Sequence, residues 1–259
     1  MFAFGSRCFR LVRGALLALG LVACTPPPTD GSLIADPYQA TNRRMHELNK
    51  TVDQAVLRPA SRAFADVTPG LVRYLVRNGV SNLELPVIAA NQLLQGRPLD
   101  ALASAGRFGL NTVFGAAGLL DPATDFGLPF RPTDFGVTLH VWGVPEGAYL
   151  ELPFIGPTTE RDLAGLVVDS AINPLRYVGG VLDSPLPEIM LGMRGANVLI
   201  RRADNAAVID QILYGSGDSY TELKTAYVQL RRRQLGEETT PEAALPDIFG
   251  DPAGDAPAE

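Results

Sequence analysis

Apolar residues recur at helical spacing over most of the chain from Asp36 to Arg233, and the polar residues between them mark where helices begin and end. Asp36 as N-cap, Pro37 at the first helical position and Gln39 two further on predict a helix with Met45, Leu48, Val52 and Ala55 on one face, closed by Pro59. Thr68 and Pro69 predict a second, with Leu71, Val72, Leu75 and Val76 buried and Asn78-Gly79 ending it. A Ser81/Glu84 capping box opens a third, through Val87, Ile88, Leu93 and Leu94 to Gly96, with Pro86 too early in it to do much harm. Pro98 then opens the most apolar stretch after residue 24, Leu99 to Leu120.

After Asp121-Pro122 the pattern changes. Gly and Pro punctuate residues 127–157, and Val137, Leu139 and Val141 alternate with Thr138, His140 and Trp142, which predicts a short hairpin turning at Pro145-Glu146-Gly147. Helices resume at a Thr159/Asp162 cap, again across Ile189 to Leu213, and finally from Asp218 to Arg233 with Tyr220, Leu223, Tyr227 and Leu230. No series of period-2 segments of roughly ten residues is present, which argues against an outer-membrane β-barrel. The expected fold is mainly α, with at most a short β-hairpin.

The stretch from Leu99 to Leu120 fails as a transmembrane helix, because it carries Arg107, Asn111 and four glycines, and a central Arg alone costs about 2.5–3.5 kcal/mol on insertion scales. Leu99, Leu102, Gly106, Leu110 and Val113 form one apolar stripe, compatible with a core. Opposite it, Asp100, Ser104, Arg107 and Asn111 fall on one narrow face. Two readings follow. Either Arg107 is tied inside the fold to a carboxylate such as Asp100 or Asp121, or the four residues line a polar conduit. In the second case Leu99, Leu102, Leu110, Val113 and Phe114 rest in lipid, and Gly115 to Gly118 bend a helix-turn-helix lying within one leaflet.

The N-terminus places the chain. Arg7, Arg10 and Arg13 precede a short apolar run, Gly14 to Val22, and Leu21-Val22-Ala23-Cys24 reads as a lipobox. Residues 1–23 are then a lipoprotein signal peptide, Cys24 the acylated residue, and 24–33 a Pro-rich tether. At about 0.8 kcal/mol per buried methylene, several acyl chains hold a protein at a membrane effectively permanently. Thr25 stands where Asp would signal inner-membrane retention, so the expected location is the outer membrane, facing the periplasm. The net charge of −6 arises in an acidic, Pro-punctuated tail over 236–259, expected to be disordered. Acidic and basic residues nearly balance in the remaining domain, 34–235, so it has no field suited to nucleic acid. Cys8 leaves with the signal, so no disulfide is expected, and His46 and His140 lack the spacing of a zinc site. For a lipid hydrolase there is no Gly-x-Ser-x-Gly elbow, and neither His has a recognisable Ser or Asp partner in the sequence.

Ordered motifs carry a further signal. They begin with Asp36-Pro37, Asn42-Arg43, Asn49, Ser81-Asn82-Leu83, Pro86, Asn91 and Leu94-Gln95-Gly96. Arg107-Phe108, Asn111-Thr112, Gly115, Gly118 and Asp121 follow, then Phe135-Gly136, Thr138-Leu139, Trp142-Gly143-Val144, Gly147, Tyr149-Leu150 and Leu152-Pro153. Gly156-Pro157, Thr159, Arg161-Asp162, Asp218, Tyr220, Tyr227 and Gln229 complete the series. In this order they resemble the MlaA (VacJ) family of outer-membrane lipoproteins, from about Asp36 to Arg233. Departures are His140 for the usual Gly, Leu48 for Phe and Lys224 for Arg. The resemblance implies a helical, ring-like domain embedded in the inner leaflet, with an amphipathic channel that withdraws phospholipid misplaced in the outer leaflet. It also implies an outer-membrane porin beside it, a soluble periplasmic carrier that receives the lipid, no cofactor, no catalytic residue and no metal. A purely structural tether is the rival expectation. Thr159 and Asp162 read most simply as a helix cap and Arg161 as a surface or ion-pair residue, while Trp142, Tyr149 and Phe154 suit either a core or an interfacial belt.

Overall fold

Two long helices joined by the turn Gln95-Gly96-Arg97 form the largest packed unit of the computed structural model, which describes residues 32–175, 177 and 186–237. They are the third and fourth helices in chain order. Before them come α1 (Gln39–Val52), a π turn (Asp53–Leu57) and α2 (Arg58–Val67); the pair itself is α3 (Gly70–Leu94) and α4 (Pro98–Phe114). The one-turn α5 (Pro122–Asp125), α6 (Phe135–Val141), β1 (Tyr149–Leu152), β2 (Gly156–Thr159) and α7 (Glu160–Ile172) follow. Last are α8 (Leu186–Asp204), α9 (Ala206–Asp210), a second π turn (Gln211–Gly215) and α10 (Ser219–Leu235), which Gly236 ends in the left-handed conformation (φ 74°). The fold is mainly helical, with one antiparallel hairpin pairing Tyr149 with Thr159 and Leu152 with Gly156. Cys24, the signal peptide, most of the tether and nearly all of the acidic tail lie outside the described residues.

Packing runs in a circuit. α1 lies on β1, β2 on α7, α7 on α6, α6 on α3, α3 on α8 and α8 on α2, which continues from α1. Among the described residues no comparable packing crosses from α1 to α3 or from α8 to α6. The apolar cores are correspondingly small and separate. Phe135, Leu139, Ala164 and Val168 join α6 to α7, while Ile34, Tyr149, Tyr220 and Val228 join the hairpin to α10. Polar pins hold the other seams. The Asn42 amide bonds Tyr149 O (3.0 Å) and receives Glu151 N (3.0 Å), and Arg202 forks onto Asp53 at 2.8 and 2.9 Å.

Four sequence expectations are corrected. Asp36 does not cap α1 with its side chain; it takes Lys224, Tyr220 and Asn42 instead. Pro59 does not close a helix, because the π turn ahead of it shifts the hydrogen-bond register and leaves Pro59 in the first turn of α2, where its missing N–H costs nothing. Asn78-Gly79 does not end a helix either. Asn78 donates to Leu119 O (3.1 Å), and a Cβ on Gly79 would lie 2.1 Å from Met193 Cε, so the pair serves close packing inside one 25-residue helix. Residues 137–141 are helical rather than a strand. Asp134 accepts from Val137 N (2.9 Å), and burial follows Phe135 and Leu139, four apart, while Val141 is exposed. The hairpin turns instead at Pro153-Phe154-Ile155, with Phe154 at φ 64° and its N–H held by Asn49 Oδ1 (2.8 Å).

Candidate functional site

Helix α4 is inverted relative to a helix of a water-soluble core. Its apolar stripe faces outward: Leu99 is 81 % exposed, and Leu102, Val113 and Phe114 are each about 70 % exposed, while Leu110 is half-buried. Its polar stripe faces inward, with Ser104, Arg107 and Asn111 each only 3 % exposed. Ser104 donates to Gln92 Oε1 on α3 (2.7 Å). Arg107 donates through Nη2 to both oxygens of Asp121 at 2.8 Å and through Nη1 to Thr124 and Leu128 O. Asn111 donates to Asp121 (2.9 Å) and accepts from Ala123 N (3.0 Å). Asp100, at the solvent end, pairs with Arg97 and Arg131. Of the two carboxylates open to Arg107 from the sequence, Asp121 is the partner. Burial pushes the Asp121 carboxyl up, but donors on Thr124, Asn111 and Arg107 outweigh it and hold the group below its ordinary range.

The bend after α4 is tight and left-handed. Ala116 (φ 51°), Ala117 (φ 60°) and Gly118 (φ 92°) follow one another, and Gly118 N returns to Asn111 O at 2.8 Å. A Cβ on Gly118 would lie 2.3 Å from Asn82 Nδ2, so the turn sits directly on α3. The second limb of the expected helix-turn-helix is short, only the one-turn α5.

Further apolar groups are exposed beside the α3–α4 turn. Trp142 donates its indole N–H to Leu94 O (3.1 Å) with the ring open, next to exposed Leu93, Leu94 and Val141. Phe154 is likewise exposed, whereas Tyr149 is fully buried in a core. Thr159 caps α7 as expected, accepting from Asp162 N at 3.1 Å. Arg161 is not on the surface: it is 2 % exposed, 3.3 Å from Val144 O and 3.9 Å from Asp162. A residue the sequence did not single out, Arg231, joins α10 to α6 and α7 by bonds of about 2.8 Å to Asp134 and Asp162.

The fold also supplies His46 with the partners its sequence neighbours lack. Ser219 Oγ lies 2.9 Å from its Nε2 and Glu151 Oε1 lies 3.5 Å from its Nδ1, while Tyr149 and Asn49 donate to the same carboxylate. The order of groups resembles a nucleophile, base and orienter. Access differs: His46 is 1 % and Ser219 6 % exposed, and Ser219 Oγ also accepts from Lys50 (3.3 Å). The cluster joins α1, β1 and α10. Among the described residues no group of three His, Cys, Asp or Glu could hold a metal ion, and no helix is long and apolar enough to cross a membrane.

Comparison with known proteins gives a consistent result. A family model described as MlaA lipoprotein matches residues 34–234. The "Intermembrane phospholipid transport system lipoprotein MlaA" of Escherichia coli K12 is 33 % identical over 225 residues, covering 84 % of this chain and 86 % of that protein. Its namesake from Haemophilus influenzae is 30 % identical over 220 residues, covering 82 % and 84 %. An uncharacterized protein of Rickettsia felis is 33 % identical over 203 residues, covering 78 % of each. A solved structure described as "Structural basis for maintenance of bacterial outer membrane lipid asymmetry" aligns with TM-score 0.64 at 30 % identity, over 78 % of this chain and 99 % of that one.

Proposed function

Since this chain belongs to the MlaA lipoprotein family, we propose that it is an outer-membrane lipoprotein that withdraws mislocalised phospholipid from the outer leaflet and so maintains lipid asymmetry. Cys24 carries the acyl anchor, and the domain sits in the inner leaflet on the periplasmic side. The observation that carries this reading is the inversion of α4. An outward row of Leu99, Leu102, Val113 and Phe114 is costly in water, whereas in hydrocarbon each such side chain gains roughly 1.5–3 kcal/mol. The closed circuit of elements supports a ring, and a ring in one leaflet gives a charged headgroup a route past hydrocarbon it would otherwise have to cross unsolvated.

In this reading Ser104, Arg107 and Asn111 lie within the wall of the passage and brace it through Gln92 and Asp121, with Asp100 at the rim. A porin beside the ring and a soluble periplasmic carrier complete the path. No bond is broken, which suits a Ser219–His46 pair sealed from any substrate.

The test uses the full-length lipoprotein expressed in a host lacking its own copy. Outer-leaflet phospholipid, measured with a membrane-impermeant amine reagent, should rise in the deletion and return to normal on complementation, with phospholipid bound to the protein purified in detergent. An unchanged outer leaflet and no bound lipid would favour a structural tether.

A further inference from the structure

Glu84 stands on α3 five residues past Gly79, which packs against Met193 of α8, and among the described residues it has no ion-pair partner. The charges of Arg201 and Arg194 act on it, yet neither guanidinium comes within 4 Å, and among the described residues no hydrogen bond reaches its carboxylate. Burial pushes this carboxyl above its ordinary range, against the pull of both arginines. Asn197 lies between the two arginines along the same face of α8, three residues after Arg194 and four before Arg201. It is 7 % exposed, and its Oδ1 has no partner among the described residues. A buried amide oxygen without a donor costs roughly 1–3 kcal/mol, so a donor is expected there. Beside this polar row, Leu191 and Val198, one heptad apart, are exposed.

These groups match one ligand chemistry in sign and in shape. Among the described residues the Arg194 and Arg201 guanidiniums have no ion-pair partner, and they are donors suited to a phosphodiester. A carboxylate and an amide oxygen are unpaired acceptors suited to a primary ammonium with its three N–H donors. The exposed apolar pair runs alongside, where acyl chains would follow the headgroup. We propose that Glu84, Arg194, Asn197 and Arg201 form a headgroup site selective for zwitterionic phospholipid bearing a primary ammonium, of the phosphatidylethanolamine type. The proposal rests on the lipid-transport reading and adds the substrate class to it. Phosphatidylglycerol offers the phosphate but no cation for Glu84. Phosphatidylcholine offers a cation with no N–H for Asn197.

The full-length lipoprotein in detergent is incubated with an equal mixture of these three lipids, and retained lipid is quantified by mass spectrometry. Wild type should retain phosphatidylethanolamine over each competitor by about tenfold, the lower end of the scale of a single charged hydrogen bond. Glu84→Gln should bring the ratios close to one with total retention unchanged, and Glu84→Asp should preserve most of the preference. Arg194→Gln with Arg201→Gln should lower retention of all three lipids, with circular dichroism matching wild type. An unchanged ratio in Glu84→Gln overturns the site, as does equal retention by wild type or complete displacement by millimolar inorganic phosphate. Retention of no phospholipid at all overturns the transport reading as well, so the two failures are distinguishable.

Discussion

Replacing Asp121 by Ala should be the costliest single change along the α4 stripe. Its carboxylate receives Arg107 Nη2 on both oxygens, together with Asn111 and Thr124, all within 2.9 Å. Arg107 is 4 % exposed and Asp121 22 %. Removing the carboxylate therefore strands a sealed guanidinium, and breaking a buried pair in this way costs about 3–5 kcal/mol. Partial access of water to Asp121 puts the value at the lower end, about 3 kcal/mol, or roughly 6–12 °C in Tm for a domain of this size. The reverse change, Arg107→Leu, should cost less, about 1–2 kcal/mol, because Asp121 keeps Asn111, Thr124 and some water. Asp121→Ala combined with Arg107→Leu should be more stable than Asp121→Ala alone.

Acid adds an independent check. The folded-state value of Asp121 lies below its unfolded value near 3.9, so the contribution is complete above about pH 4 and is lost as pH falls through the folded value. The gap in Tm between wild type and Arg107→Leu should close below that range. Thermal unfolding in detergent, followed by circular dichroism from pH 7 to pH 3, measures all of this. Asp121→Ala melting within about 2 °C of wild type would refute the bracing argument. So would Arg107→Leu with Asn111→Leu that melts normally yet fails to clear outer-leaflet phospholipid, since the stripe would then act on lipid and not on the wall.

Gly165→Ala should lower stability by about 1–3 kcal/mol, because its Cβ would lie 2.4 Å from Gly136 N, a backbone atom that cannot swing aside; an unchanged Tm would show that α6 and α7 separate freely. Ala116→Gly with Ala117→Gly should raise Tm by a few degrees, relief of two left-handed alanines exceeding the entropy cost of two glycines by up to about 1 kcal/mol; a lower Tm would mean that the turn is not strained. Val113→Asp should melt in detergent like wild type but float less with liposomes, since the side chain is 71 % exposed; a large fall in Tm would place it in a core. Cys24→Ala should abolish labelling by radioactive palmitate and release the protein from the outer membrane, whereas retained label would reject the lipobox.

Local signals were read correctly where the chain settles its own structure locally. The Thr159/Asp162 cap lies within one helical turn of the group it serves, and the start of the last helix at Asp218 is fixed equally locally, by a bond from Thr221 N to the Asp218 side chain. Asp121 could be shortlisted for Arg107 because only a tight bend separates them. Residues 137–141 show where such signals fail: alternation of Val and Leu with polar residues suits a strand until Asp134 caps the segment and Asn91 takes Thr138. Asn78-Gly79 fails for a related reason. A glycine that ends a helix and a glycine that admits a neighbouring side chain look identical in sequence, and only Met193, more than a hundred residues away, distinguishes them.

The facing of α4 was illegible for a deeper reason. Periodicity separates an apolar stripe from a polar one, but it does not say which solvent each meets. In water the apolar stripe of Leu99, Leu102 and Val113 would turn inward, and Arg107 would find solvent. The structure reverses this because the polar stripe has a more demanding set of partners than the apolar one. Gln92, Asp121, Thr124 and the Ala123 N–H are fixed by α3 and by the bend, and each would lose a bond if the helix rotated. The apolar stripe needs only a medium without water, which hydrocarbon supplies as well as a protein core does. Directional bonds therefore fix the rotation of α4, and the outward row of leucines follows from it. That order of causes makes Asp121, and not any leucine, the residue on which the outward apolar surface of α4 depends.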